Sequence, residues 1–89
     1  MRVTVISPER ALFDGEASSV VAPAFDGQVG ILPRHAPFMT LLGEGVVRIR
    51  VGGAGAGAAM REITVSGGFL QVSDDAVRIV AGSATERQA

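Results

Sequence analysis

Val46-Val47-Arg48-Ile49-Arg50-Val51 is the stretch that decides the fold. In an extended chain, Val47, Ile49 and Val51 face one side, and Val46, Arg48 and Arg50 face the other. That alternation describes a strand with one buried face and one wetter face. No helical period fits it. Towards the C-terminus, residues 61–66 mirror the pattern, with Ile63 and Val65 inward. Between the two runs lies Gly52 to Ala59, Gly-Gly-Ala-Gly-Ala-Gly-Ala-Ala, which carries no side chain capable of chemistry. It touches the Gly-x-Gly-x-x-Gly idea only superficially. A dinucleotide loop needs a helix after the glycines and an acidic residue further on, whereas Arg61 to Val65 reads as strand. The segment is expected to be a flexible hairpin connection.

Further outward the same grammar repeats. Ser66-Gly67-Gly68 is expected to break or bulge the strand. Phe69 to Val72 and Ala76 to Ala81 read as strands around a solvated Asp74-Asp75 turn. The polar tail from Gly82 to Ala89 is expected to fray. Towards the N-terminus, Gly43-Glu44-Gly45 turns the chain, Phe38 to Leu42 and Val29 to Leu32 are short strands, and Asp26-Gly27 is a tight turn. Residues 16–22 form a strand stopped by Pro23, Asp14-Gly15 is a second tight turn, and Arg10 to Phe13 and residues 2–7 complete the set. Eight to ten short strands with no convincing amphipathic helix describe an all-β sandwich or barrel. Two packed sheets suit 89 residues better than a ligand-holding barrel. The four phenylalanines sit in apolar runs and read most simply as core.

Composition narrows the function. A chain this short is one domain that buries only about 60–65% of its unfolded surface. Apolar residues make up 47% of it, which is enough for one core and argues against disorder. Without cysteine there is no disulfide framework, thiolate nucleophile or cysteine metal site, and one histidine cannot build a usual zinc centre. The net charge of −1 offers no field for nucleic acid or an anionic membrane, and the basic residues, all Arg, are dispersed. No apolar run approaches the roughly 20 residues that span a bilayer. Met1 to Ile6 is too short for a signal peptide. These features describe a soluble, cytoplasmic domain that reaches a membrane only through a partner.

Catalysis finds little support. Ser66, His35 and Asp26 could be arranged on paper as a triad, but there is no nucleophile-elbow context. Binding is better served. Pro33-Arg34-His35-Ala36-Pro37 steers Leu32 and Ala36 away from helix and sets Arg34-His35 in a stiff, extended corner. That corner reads either as a strand-to-strand crossover or as a recognition surface. Small residues at Ser66-Gly67-Gly68 allow another backbone to approach closely. A free-standing sandwich module for a small ligand or carbohydrate is the alternative. It lacks Trp and Tyr, the usual stacking platforms.

Several strings then align with one family. They are Ser7-Pro8-Glu9 with Leu12-Phe13-x-Gly15, Ala22-Pro23 with Asp26-Gly27-x-x-Gly30-Ile31-Leu32-Pro33-x-His35-Ala36-Pro37, Thr40-x-Leu42-x-x-Gly45, and Val65-Ser66-Gly67-Gly68-Phe69 with Val72. In this order, over roughly residues 3 to 84, they resemble the epsilon subunit of F-type ATP synthase, called delta in mitochondria. The resemblance implies a flattened sandwich of two roughly five-stranded, mostly antiparallel sheets over residues 1–84, with a frayed tail at 85–89. It implies a non-catalytic rotor subunit without cofactor or metal. This subunit binds the gamma subunit, touches the c-ring, meets the alpha/beta head indirectly, and sits peripherally at the cytoplasmic face of a bacterial plasma membrane. Carried onto this chain, the gamma-facing residues are Ser7, His35, Ala36 and Ser66, and the c-ring-facing residues are Asp26, Gly27 and Gln28. Relatives often carry an acidic residue where this chain has Gln28. The family usually continues into a C-terminal pair of helices, which supports inhibition of hydrolysis and, in some members, ATP binding. This sequence stops at Ala89, and neither role is expected of it.

Overall fold

A computed structural model of the chain describes residues 1–52 and 59–86. All of its regular structure is strand: β1 Arg2–Ile6, β2 Ala11–Glu16, β3 Ser19–Ala24, β4 Gly27–Ile31, β5 Phe38–Leu41, β6 Glu44–Val51, β7 Ala59–Ser73 and β8 Ala76–Glu86. The hydrogen-bonded order is β2-β1-β8-β7-β6-β3-β4, with β5 added to β7. Every pairing is antiparallel except that of β1 with β8. Of the connection read as a hairpin loop, Gly52 to Ala59, residues 53–58 lie outside the described residues, and Ala59 pairs with Val51 as the first residue of β7.

The long β7–β8 ribbon organises the rest. Its register runs unbroken from Ile63↔Glu86 to Ser73↔Ala76. The first half of β7 carries β6, which carries β3 and then β4. The second half of β7 carries β5, while the first half of β8 carries β1 and then β2. The two separate sheets expected from the sequence are therefore one continuous sheet whose two wings meet at Gly67-Gly68. There β7 changes face without losing register: Ile63 and Val65 are buried before the glycines, Leu70 and Val72 after them. Gly67 and Gly68 have φ of 71° and 106°. Folded on itself, the sheet measures 32 × 31 × 22 Å. Its short dimension fits two layers about 10 Å apart with their outward side chains.

The wings enclose one core. Its eleven most deeply buried large side chains are Val3, Val5, Val20, Ile31, Val47, Ile49, Ile63, Val65, Leu70, Val77 and Ile79. All but Leu70 are β-branched, so the residues that favour extended backbone also fill the interior. Each contributes about 1.5–3 kcal/mol by leaving water. Among the described residues no polar or charged side chain is buried.

Several local expectations are corrected by long-range pairing. Asp14-Gly15 is not a turn: both lie within β2, opposite Thr4 and Val3. The Asp14 carboxylate there accepts from Arg2 Nε at 2.9 Å. The chain changes wings later, at Ala17-Ser18, whose amides bond Met1 O and Arg50 O at 2.9 Å each. Pro23 does not stop β3, because the β6 ladder ends at Val21 and leaves an edge where a missing N–H costs nothing. Glu44 and Gly45 belong to β6, paired with Ser66 and Val65. Gly82 to Glu86 are strand rather than a frayed tail. Glu86 pairs with Ile63 and accepts a close ion pair from Arg61, whose guanidinium lies 5.4 Å from the Phe13 ring centre. Phe13 alone of the phenylalanines is core. Phe25 is 71% exposed, and Phe38 and Phe69 are half-buried.

Candidate functional site

The corner between β4 and β5 is a tight turn. Leu32 O accepts from the His35 amide at 3.2 Å across Pro33 and Arg34. Arg34 has φ of 67°. Proline followed by a left-handed residue is the signature of a type II turn, whose third position normally holds glycine or asparagine. The stiff, extended corner expected for Arg34-His35 is thus corrected: Arg34 is left-handed. His35 is half-buried. Its Nδ1 lies 2.7 Å from Ala36 O, and its ring tilts at 43° to Phe38 with centres 5.2 Å apart. Ala36 is exposed. The imidazole is therefore oriented by its own loop while the backbone beside it stays open.

A second group tightens this corner. The Arg34 amide donates to Asp75 Oδ1 at 2.8 Å. Asp75 lies in the two-residue turn joining β7 to β8, where Asp74 and Asp75 both have positive φ, 51° and 58°. Its carbonyl accepts from the Arg2 amide at 3.1 Å, and Oδ2 lies 3.8 Å from the Met1 α-ammonium. The turn is solvated, as expected from the sequence, and it is also a junction of three chain segments. Only the pairing of residues 41 apart reveals it.

Ser7 and Ser66 lie near the middle of the ribbon: Ser7 follows Ile6, which pairs with Val80, and Ser66 pairs with Ser83. Ser7 is half-buried, and its amide and hydroxyl both donate to Arg10 O, at 2.9 and 3.3 Å, closing the β1–β2 connection. Ser66 is exposed in β7 between Glu44 and Ser83, next to the face change. The structure does not bring all four gamma-facing candidates together. His35 touches Phe38, which pairs with Val72, and from Val72 to Ser66 is six residues, or about 20 Å of extended strand.

Asp26, Gly27 and Gln28 are all exposed. Ala24 pairs with Gly27, so the turn residues are Phe25 and Asp26, while Gly27 and Gln28 open the edge strand β4. The turn is tied to β5 by the Phe25 amide on Leu41 O at 3.2 Å and by the Ala24↔Leu42 bridge. Gly67 N bonds Gly43 O and Gly43 N bonds Pro23 O, at 3.4 and 2.9 Å, so Ser66 shares this end of the molecule. Beside the turn lies an open depression of about 330 Å³ lined by Phe25, Met39, Thr40, Leu41 and Phe69. Phe25, Met39 and Leu41 are each more than half exposed. Sequence reasoning missed this apolar surface because it took the phenylalanines as core.

The chain matches, over residues 1–87, the family described as ATP synthase, Delta/Epsilon chain, beta-sandwich domain. The chain belongs to this family. Among its curated relatives, the ATP synthase epsilon chain of Leptospira borgpetersenii is 45% identical over 80 residues, 90% of this chain and 59% of that protein. The epsilon chain of Moorella thermoacetica is 42% identical over 84 residues, 94% of this chain and 60% of that protein. The chain thus spans about three fifths of the length of these epsilon chains. Solved structures agree on the fold. One chain from the central stalk and c-ring of the Tetrahymena thermophila mitochondrial ATP synthase superposes with a TM-score of 0.78 at 18% identity, covering 96% of this chain and 65% of that one. One from the Euglena gracilis mitochondrial ATP synthase OSCP/F1/c-ring assembly superposes at 0.80 and 21% identity, covering 94% and 51%.

Proposed function

We propose that this chain is a non-catalytic subunit of the central stalk of a proton-translocating F-type ATP synthase. It docks on the gamma subunit through Ser7, His35, Ala36 and Ser66 and touches the polar loops of the c-ring with Asp26, Gly27 and Gln28. In this role it couples ion flow through the ring to ATP synthesis and meets the alpha/beta head only through gamma. It is held peripherally at the cytoplasmic face of a bacterial plasma membrane and uses no cofactor. The observation that carries this reading is the family match over residues 1–87.

Physical features support it. A subunit that transmits torque must resist shear. The continuous β7–β8 register, the single dry core and the short connections supply that stiffness. The two groups of gamma-facing candidates lie about 20 Å apart along β7, and one partner can cover both, since a typical interface takes roughly 800 Å² per partner. Asp26 and Gln28 sit on an exposed turn and an edge strand, where polar contacts to a neighbouring loop cost little rearrangement.

The test is co-assembly. Mixed at micromolar concentration with the gamma subunit of the same synthase, the chain should elute from size exclusion in a complex. Separate elution would count against the reading.

A further inference from the structure

We infer that Asp75 is a positioning residue for gamma binding: its carboxylate holds the Arg34 turn in the form that presents His35 and Ala36. The inference rests on the docking role proposed for that segment.

Arg34 occupies a backbone region that L-residues other than asparagine and aspartate rarely adopt. The turn's own hydrogen bond uses the His35 amide and leaves the Arg34 amide without a partner inside the turn. Asp75 Oδ1 accepts that amide at 2.8 Å, in the range of a charge-assisted bond. The acceptor is itself fixed. Asp75 lies between two paired strands, Ser73 opposite Ala76, and its carbonyl is tied to the Arg2 amide. An exposed, strained turn is thereby fastened to the turn of the β7–β8 hairpin. Without the carboxylate the corner can relax to other turn forms. The fraction of molecules in the docking form then falls, and the apparent dissociation constant rises in inverse proportion.

The hairpin geometry supplies a clean test. Asp74 and Asp75 are both left-handed, which defines a type I′ turn, and such turns favour Asp-Gly. Asp75→Gly therefore removes the carboxylate and suits the turn, whereas Asp75→Asn keeps an acceptor in place and tolerates the same φ. Amide hydrogen exchange at Arg34 and calorimetric affinity for the gamma subunit are measured for both variants of the full chain. Asp75→Gly should leave the melting temperature near wild type, speed Arg34 exchange about tenfold or more, and weaken gamma binding about five- to tenfold. Asp75→Asn should restore most of both. Wild-type exchange at Arg34 in Asp75→Gly overturns the inference, as does faster exchange with unchanged affinity. His35→Asp is titrated alongside. If it weakens binding while Asp75→Gly does not, only the positioning role fails. If neither weakens binding, the docking role of the segment fails with it.

Discussion

Gly68 and Arg34 both bend the chain through the left-handed region, with φ of 106° and 67°, and they do so by opposite means. At Gly68 the constraint is steric. A Cβ there would lie 2.0 Å from the Val80 carbonyl oxygen and 2.9 Å from Ala81 Cα, so neighbouring backbone excludes every side chain. At Arg34 there is room for a side chain and an unfavourable backbone for it, and the geometry is held by proline on one side and a carboxylate from another hairpin. The first device serves the fold, because it lets β7 change face while its register with β8 continues. The second lies on the surface, where a simple crossover could have used glycine. Strain retained on an exposed turn beside an oriented imidazole is the outlier on which the proposed docking role draws.

The contrast can be broken from either side. Gly68→Ala should have the largest effect, about 3 kcal/mol or more of lost stability in urea denaturation, because backbone rather than a flexible side chain must move. A loss below about 1 kcal/mol would mean that the face change does not depend on glycine there. Arg61→Ala tests what holds the far end of the ribbon. The Arg61–Glu86 pair is partly exposed, so the loss should be only about 0.5–1 kcal/mol, together with faster amide exchange confined to residues 83–86. Arg34→Gly should be smallest and of opposite sign. Relief of the left-handed penalty exceeds the added unfolded-state entropy only slightly, giving about 0.5 kcal/mol of stabilisation. A clear destabilisation would show that the Arg34 side chain makes its own contribution to the corner.

What could be read from the sequence was what is local. The alternation of Val46 to Val51 places Val47 and Ile49 in the core and Arg48 and Arg50 outside. Asp74-Asp75 is a hairpin turn, as expected. The misreadings share one cause. Asp14-Gly15 carries turn chemistry, but the ladder to β1 overrides it. Gly82 to Glu86 looks like a polar tail because the partners that hold it, Ile63 and Arg61, are more than 20 residues away. Phe25 looks like core because apolar runs do not tell which residue sits at a turn. For the site, the family strings named Ser7, His35, Ala36 and Ser66 as candidates. Their division between the turn end of the ribbon and its middle, and the Asp75 tie to Arg34, depend on strand register, which no local pattern encodes.

The His35 corner is proposed to grip the gamma subunit. Its most direct test is calorimetric titration of gamma with the wild-type chain and with His35→Asp, after the variant's fold has been checked by circular dichroism. Wild type should bind at micromolar concentration or tighter and the variant about tenfold or more weakly, with the spectrum unchanged. Equal affinities for the two folded proteins would contradict it.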